Sequence, residues 1–213
     1  MKKILVAAVL AMATLVSPAY ADNVGNWTKV DVKVPLHKFD EDTSLRLRVT
    51  PEFAFTDDAG GLKQTVFRAG PNLKVNKWFN FTLNGVSSTV LGKQDLRPEV
   101  QPEFTVREGL LKVNDRNRLS YRALDNAKDD RWQYANELKA SVDLPSTQYN
   151  VFGSHEWFLD FQKEKMTQHR LTAGVGRQLN DNWLMEAGYL YRTSLTAPEW
   201  TKDHMLFLCF SNK

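Results

Sequence analysis

The chain has few of the features that identify disulfide-stabilised, metal-binding or helical membrane proteins. Cys209 is the only cysteine among 213 residues, so neither an internal disulfide nor a cysteine-based zinc site is possible. After residue 21, no run of about 18 uncharged apolar residues occurs, and we expect no transmembrane helix. Helical periodicity is almost absent as well. These absences leave an all-β protein as the class to consider.

The charge balance argues against a nucleic-acid partner. The chain has 28 basic and 25 acidic side chains, and removing Lys2 and Lys3 leaves 26 against 25. It contains no basic tract of the kind that binds nucleic acid. We therefore expect no nucleic-acid partner.

The first residues have the pattern of a secretory signal peptide. A basic start at Lys2 and Lys3 precedes an apolar run and a small-residue cleavage pattern that ends at Ala21. We predict a signal peptide over residues 1–21 and a single domain over residues 22–213.

Apolar and polar residues alternate through most of the predicted mature chain. In TSLRLRVTPEFAF, Leu45 and Leu47 alternate with Arg46 and Arg48, which is the period of a β-strand. Most segments of this kind are about ten to fourteen residues long, whereas strands average about five or six. This length suits tilted strands that cross a membrane. The eleven segments run approximately over residues 24–35, 43–55, 62–75, 78–90, 96–107, 116–124, 131–144, 148–159, 167–179, 182–193 and 203–210.

Short and long connections alternate along the chain, as in outer-membrane barrels, which have short periplasmic turns and longer extracellular loops. We predict an antiparallel transmembrane β-barrel of about 10–12 strands. Bacterial barrels have even strand counts, so either residues 24–35 lie outside the wall, which leaves about ten strands, or a boundary is wrong and there are about twelve. The predicted tight turns are at residues 76–77, 145–147 and 180–181, and the longer loops are at residues 56–61, 125–130, 160–166 and 194–202.

Tryptophans collect near the ends of the predicted strands. Amphipathic rings gather at both membrane interfaces of a barrel, whereas the tryptophans of a soluble core would be spread along the strands. Ordinary strand-end aromatics remain the alternative interpretation. Trp27 also falls near a segment end. The predicted aromatic girdle comprises Trp78, Trp132, Trp157, Trp183 and Tyr189.

Charged residues share one face of the predicted strands. A lipid-facing Arg or Lys at the bilayer midplane costs roughly 2–4 kcal/mol, so in a membrane barrel this face lines the lumen. A soluble periplasmic barrel with the same alternation inverted is the alternative, because parity alone does not fix which face is inside. The predicted lumen charges are Arg46, Arg48, Glu52, Arg68, Arg97, Glu99, Glu103, Arg118, Arg122, Glu137, Glu156, Arg170, Glu186 and Arg192.

Four prolines fall inside the predicted strands, where each removes a hydrogen-bond donor from the sheet. We expect β-bulges or shorter strands at these positions, which are Pro51, Pro71, Pro98 and Pro102.

The second half of the chain resembles a known family. The stretches NRLSYRALD, GSHEWFLDF, HRLTAGVGRQLNDNWLMEAGYLYR and DHMLFLCF are similar to those of an uncharacterised family of bacterial outer-membrane β-barrels, catalogued as domain of unknown function 2490. The resemblance implies a barrel fold and an outer-membrane location in a Gram-negative bacterium, but no activity. It also implies that Arg118, Arg122, Glu156, Arg170 and Glu186 are lumen residues.

A catalytic or metal site is not evident. Ser154, His155 and Glu156 are adjacent in sequence, so His155 points away from both neighbours on a strand and the three form no triad. A hairpin centred near Lys163 would place His169 opposite Trp157, on the same face as His155. The acidic pairs at residues 57–58 and 129–130 match no calcium-loop pattern. We expect no cofactor, no bound metal and no enzymatic activity.

The lumen charges remain the functional candidate. The leading hypothesis is a narrow, porin-like channel, which would prefer small anions because arginines outnumber acids. The alternatives are a non-conducting structural or interaction barrel, whose lumen is filled by side chains, and a lipid-modifying enzyme. We expect a monomer that contacts outer-membrane lipids and lipopolysaccharide. Alternation through His204, Leu206, Leu208 and Phe210 resembles the signal read by the barrel assembly machinery, which would be a partner during insertion.

Overall fold

Each predicted segment forms one strand of a closed barrel in the computed structural model of the protein, which describes residues 24–56, 61–90, 93–122, 131–196 and 199–212. The predicted signal peptide and the acidic pairs at residues 57–58 and 129–130 lie outside these residues. Among the described residues, no helix is long and apolar enough to cross a membrane. The strands are β1 (Val24–Lys38), β2 (Ser44–Thr56), β3 (Gly61–Lys74), β4 (Phe79–Val90), β5 (Lys93–Glu108), β6 (Leu111–Arg122), β7 (Arg131–Asp143), β8 (Tyr149–Asp160), β9 (Lys165–Asn180), β10 (Trp183–Thr196) and β11 (Glu199–Asn212).

The barrel closes between its first and last strands. Strands that follow one another in sequence are antiparallel, so β1 and β11 point the same way and pair in parallel, with Trp27 beside Phe207. An odd number of strands connected in this way requires such a parallel seam. The expectation of an even count, with residues 24–35 outside the wall, is wrong, because β1 pairs with both β2 and β11.

The odd count places the two ends of the described chain at opposite rims. β1 starts at what we call the N-terminal rim, and β11 ends at the C-terminal rim. Several strands are longer than predicted, and Thr196 pairs with Glu199 inside the predicted 194–202 loop. The strands connect at the N-terminal rim through residues 57–60, 91–92, 123–130, 161–164 and 197–198, and at the C-terminal rim through residues 39–43, 75–78, 109–110, 144–148 and 181–182.

Aspartate and asparagine side chains form the tight turns at the C-terminal rim. Oδ1 of Asn76 accepts hydrogen bonds from two backbone N–H groups of the 75–78 turn region, and Asn180 does the same before β10. These are the side chain-to-backbone bonds that favour Asn and Asp in turns. Asp40 accepts the N–H groups of Thr43 and Asp42, which hold the pKa of its carboxyl below the usual value.

Pleating gives the wall a charged interior and an apolar exterior. Arg48 is only 6% exposed, whereas its neighbour Leu47 is 38% exposed. The same division recurs on β3, where Arg68 is buried and Phe67 is exposed. The inverted arrangement of a soluble barrel, with arginines outside and leucines inside, is therefore not the one that the chain adopts.

The prolines do not produce the predicted bulges. Pro51 and Pro71 keep their places in the β2–β3 register, and the β3–β4 pairing only skips Gly70 and Pro71 before it resumes in the same register. Gly70 explains how the sheet accommodates Pro71, because a Cβ on residue 70 would lie 1.7 Å from the carbonyl oxygen of Leu83. Without a side chain, the two backbones approach closely where the proline donates no hydrogen bond. Register shifts occur elsewhere, at residues 35–37, 54–55, 158–159 and 183–184.

Candidate functional site

The lumen is the candidate functional site, because the interior face of the wall carries a dense set of ionisable side chains. All of the predicted lumen charges except Arg46 are buried or line the interior cavities described below, and Arg46 shares a face of β2 with Arg48 near the C-terminal rim. Most pair with a neighbour of opposite charge, as β-strand geometry allows for residues that face one another on the same side of a sheet. The pairs that join adjacent strands include Arg48 with Asp31 at 2.6 Å, Arg68 with Glu52 at 2.6 Å, Arg116 with Glu137 and Arg122 with Asp95.

Other ion pairs cross the lumen. Arg48 on β2 reaches Glu103 on β5 at 3.1 Å, and Lys139 on β7 reaches Glu186 on β10 at 2.6 Å. Two other strands separate the members of each pair in the wall, so these contacts span the lumen between strands that are not neighbours. Since the side chain of Arg48 is only 7% exposed, salt screens its pairs less than it screens surface charges.

Glu156 is the centre of the largest charged cluster. Its carboxylate contacts the guanidinium groups of Arg118, of Arg170 at 2.9 Å and of Arg116 at 3.6 Å. The three arginines come from β6 and β9, on either side of β8. One carboxylate therefore holds several cations together near the middle of the lumen, and breaking this cluster would leave buried charge uncompensated.

Trp27 lies inside the barrel rather than in an aromatic girdle. It is 3% exposed, and the guanidinium carbons of Arg170 and Arg192 lie 4.5 Å and 5.6 Å from the centre of its ring. These two arginines are directly opposite one another on β9 and β10. Like charges in that arrangement repel, and the ring offsets part of this cost through cation–π attraction.

Aromatic side chains narrow the lumen beside this cluster. Phe152 on β8 and Phe207 on β11 are 6.3 Å apart between ring centres, and Gly174 and Gly188 lie between them on the intervening strands. A Cβ on either glycine would lie 2.2 Å from a backbone oxygen of the neighbouring strand. The close approach of β9 and β10 thus depends on two glycines, and the phenylalanine rings occupy the space above them.

The interior consists of two vestibules separated by a waist. The waist encloses about 50 Å³, which is room for a few water molecules, and it is bounded by Trp27, Glu52, Arg116, Glu156 and Phe207 among others. The N-terminal vestibule has a volume of about 360 Å³ and the C-terminal vestibule about 270 Å³. In this conformation, side chains narrow the centre of the lumen, and the space left there is much smaller than either vestibule.

Several lumen residues were not predicted from the sequence. Lys29, Asp31 and Lys33 alternate along β1 in the same way as the predicted charges, but the assumption that this segment lies outside the wall concealed them. Asp95 lies just before the predicted 96–107 segment, so a correct strand limit would have assigned it to the interior. Asp203 is the first residue of the predicted 203–210 segment, and strand alternation could have assigned it as well.

The predicted girdle residues point outward at both rims, with one departure. Trp78 lies in the turn before β4 and Trp183 begins β10, both at the C-terminal rim, whereas Trp132 and Trp157 lie near the N-terminal rim. Trp132 packs against Tyr121, and Trp157 packs against Tyr134. Tyr189 is halfway along β10, where it bonds with His204, so it does not belong to either girdle.

A polar cluster interrupts the apolar exterior on β6 and β7. The hydroxyl of Tyr134 donates to Asn117, and the amide of Asn136 donates to Asn117 at 3.1 Å and to Asp115. These side chains satisfy one another, which lowers the cost of placing them on an otherwise apolar surface. Asp115 is an exception to the rule that the charged residues of these strands face the lumen.

The histidines do not form a catalytic arrangement with Ser154. As the sequence predicts, His169 pairs opposite Trp157. His155 stacks on His169 outside the barrel, with 3.3 Å between the ring nitrogens, whereas Ser154 and Glu156 point into the lumen. Among the described residues, no group of three or more His, Cys, Asp or Glu side chains is arranged to hold a metal ion.

Comparison with known families gives a match over nearly the whole barrel. Residues 24–203 match the family described as protein of unknown function (DUF2490). The matched segment starts with the first residue of β1 and ends within β11. No curated protein matches the chain.

Proposed function

The chain belongs to the DUF2490 family, and from that premise and its closed barrel we propose that it spans the outer membrane of a Gram-negative bacterium as a narrow passage for small anions. The observation that carries this proposal is the charge of the lumen. Six cationic side chains and two carboxylates line the N-terminal vestibule, and seven cationic side chains and five carboxylates line the C-terminal vestibule. An excess of fixed positive charge attracts anions and repels cations.

Strand length and the exterior surface support the membrane location. The shortest strands have 12 residues, or roughly 40 Å of chain, and at a tilt of about 45° they cover the roughly 25–30 Å of the hydrocarbon layer. Exterior side chains such as Phe67, Leu83 and Leu171 are half exposed. A belt of this kind is a larger apolar surface than soluble monomers expose. To test this location, cell membranes would be fractionated and the protein run on gels with and without boiling. We expect it in the outer-membrane fraction, and we expect the unboiled sample to migrate faster.

The waist determines how much such a passage conducts. Because Glu156 holds three arginines together across the narrowest part, passage of an ion requires this cluster to open. We expect small, infrequent current steps from the protein in planar bilayers. Glu156→Gln weakens the cluster and increases the positive charge, so it should raise conductance severalfold and strengthen the preference for anions. Glu108→Gln, at the exposed C-terminal end of β5, is the matched control and should leave both unchanged.

Absence of current from both the protein and Glu156→Gln, when both are folded and inserted, would overturn the channel proposal. It would favour the second candidate, a closed barrel with a structural or interaction role, which is supported by the ion pairs that cross the lumen. Current steps that show no preference between anions and cations would also contradict the proposal, because they would show that the excess positive charge of the lumen does not control permeation.

We propose no enzymatic activity and no cofactor for this barrel. The proposal is supported by the placement of His155 outside and Ser154 inside the wall, which keeps a histidine from activating that serine. Unchanged lipid A and phospholipid profiles on overexpression would agree with it. As partners we propose outer-membrane lipids and lipopolysaccharide around a monomer, with the barrel assembly machinery during insertion.

A further inference from the structure

The N-terminal vestibule contains an arginine whose charge is poorly compensated. Arg97 points into it from β5, its side chain is only 10% exposed, and its nearest carboxylate oxygen, Oδ1 of Asp95, is 3.7 Å from its Nε. Arg97 forms no hydrogen bond with any other described residue, and its Nε has no partner. Asp95 instead bonds to Arg122 through its other oxygen. A buried guanidinium has five N–H donors to satisfy, and those of Arg97 have no acceptor among the described residues.

Other arginines surround the same space. Arg122 lies directly opposite Arg131 on β6 and β7, and Arg170 lies directly opposite Arg192 on β9 and β10. Each of these four arginines also has a carboxylate partner, which compensates part of the repulsion between neighbours. The repulsion that remains is destabilising in a sheet, and an anion in this space would reduce it and would accept hydrogen bonds from Arg97.

We propose that the N-terminal vestibule is a binding site for a small, multiply charged oxyanion, such as phosphate or a phosphate monoester, with Arg97 and Arg122 as its main contacts. Arginine binds phosphate through paired N–H···O bonds, and several arginines on different walls match a tetrahedral dianion better than a planar monocarboxylate. The volume of about 360 Å³ is at the lower end of the range for small-molecule sites. This inference rests on the proposed function, and it adds the chemical class of anion that the lumen binds.

Binding is measured separately from conduction, so the two proposals can fail independently. The full chain, folded in a nonionic detergent, would be titrated with inorganic phosphate at constant ionic strength by calorimetry. We expect saturable binding that weakens at least tenfold in Arg97→Met and in Arg122→Met. Arg107→Met is the control, because Arg107 lies in the C-terminal vestibule, and it should bind phosphate as the unmodified protein does.

Further titrations identify the source and kind of anion. Sulfate should bind comparably, acetate and chloride at least tenfold more weakly, and vesicles that carry phospholipid phosphates should not replace inorganic phosphate. Equal responses to chloride and phosphate, or undiminished binding in Arg97→Met and Arg122→Met, would overturn the proposal. Binding of lipid phosphate alone would also overturn it, because it would place the recognition outside the lumen. Heat-dependent gel migration verifies that each variant is folded.

Discussion

Two buried arginines, Arg48 in the C-terminal vestibule and Arg97 in the N-terminal vestibule, differ in how well carboxylates compensate their charge. In the C-terminal vestibule, Arg48 has two carboxylate partners and Lys139 reaches across the lumen to Glu186. In the N-terminal vestibule, Arg97 has only a distant carboxylate, although the other arginines that line this space each have a carboxylate partner. The difference teaches that the buried charges of one lumen serve two purposes. Paired charges hold strands together, whereas poorly paired charges are available to a ligand.

Removing one arginine from each vestibule tests this contrast with the largest expected effect. Arg48→Met leaves Asp31 and Glu103 buried without their main partner, so the free energy of unfolding should fall by about 3–5 kcal/mol. Arg97→Met removes a poorly compensated charge and should be neutral or stabilising. Urea unfolding of the protein in lipid vesicles, in phosphate-free buffer, measures both. Equal losses in the two variants would show that the vestibules do not differ in this way.

A smaller effect is expected at the boundary between the vestibules. Gly174→Ala adds a Cβ that would lie 2.2 Å from a backbone oxygen of β10. This collision pushes β9 and β10 apart beside Phe152. The cost should be about 1–3 kcal/mol, as for overpacking in a core. Gly153→Ala is the matched control, since its Cβ would have its nearest neighbour at 3.9 Å. If both variants unfold at the same urea concentration, the close approach at the waist is not required.

The smallest effect concerns the turns that support the C-terminal vestibule. Asn76→Ala removes the acceptor of two backbone hydrogen bonds, so unfolding should become easier by about 0.5–1.5 kcal/mol. Asn76→Asp keeps the acceptor oxygen and should retain most of the stability. The same urea titration compares them. A loss in Asn76→Asp as large as that in Asn76→Ala would mean that the side chain acts by some means other than these bonds.

Part of the lumen could be predicted because strand alternation is a local property. Arg46, Arg48 and Glu52 occupy alternate positions in one segment, so assigning any one of them to the interior assigns the others. Trp27 shows where such reasoning stops. Its position near a segment end is typical of a girdle residue, but parity along β1 and the seam with β11 place it inside, under Arg170 and Arg192.

The sequence by itself determined that eleven alternating segments form strands, and which residues of a strand share a face, since both follow from a period of two within each segment. Tertiary structure decided that the charges face inward, that the seam is parallel and that Glu156 gathers three arginines. It also decided which charges find partners across the lumen and which do not. These outcomes depend on the circumference and stagger of the closed wall, which bring together residues that are far apart in the chain.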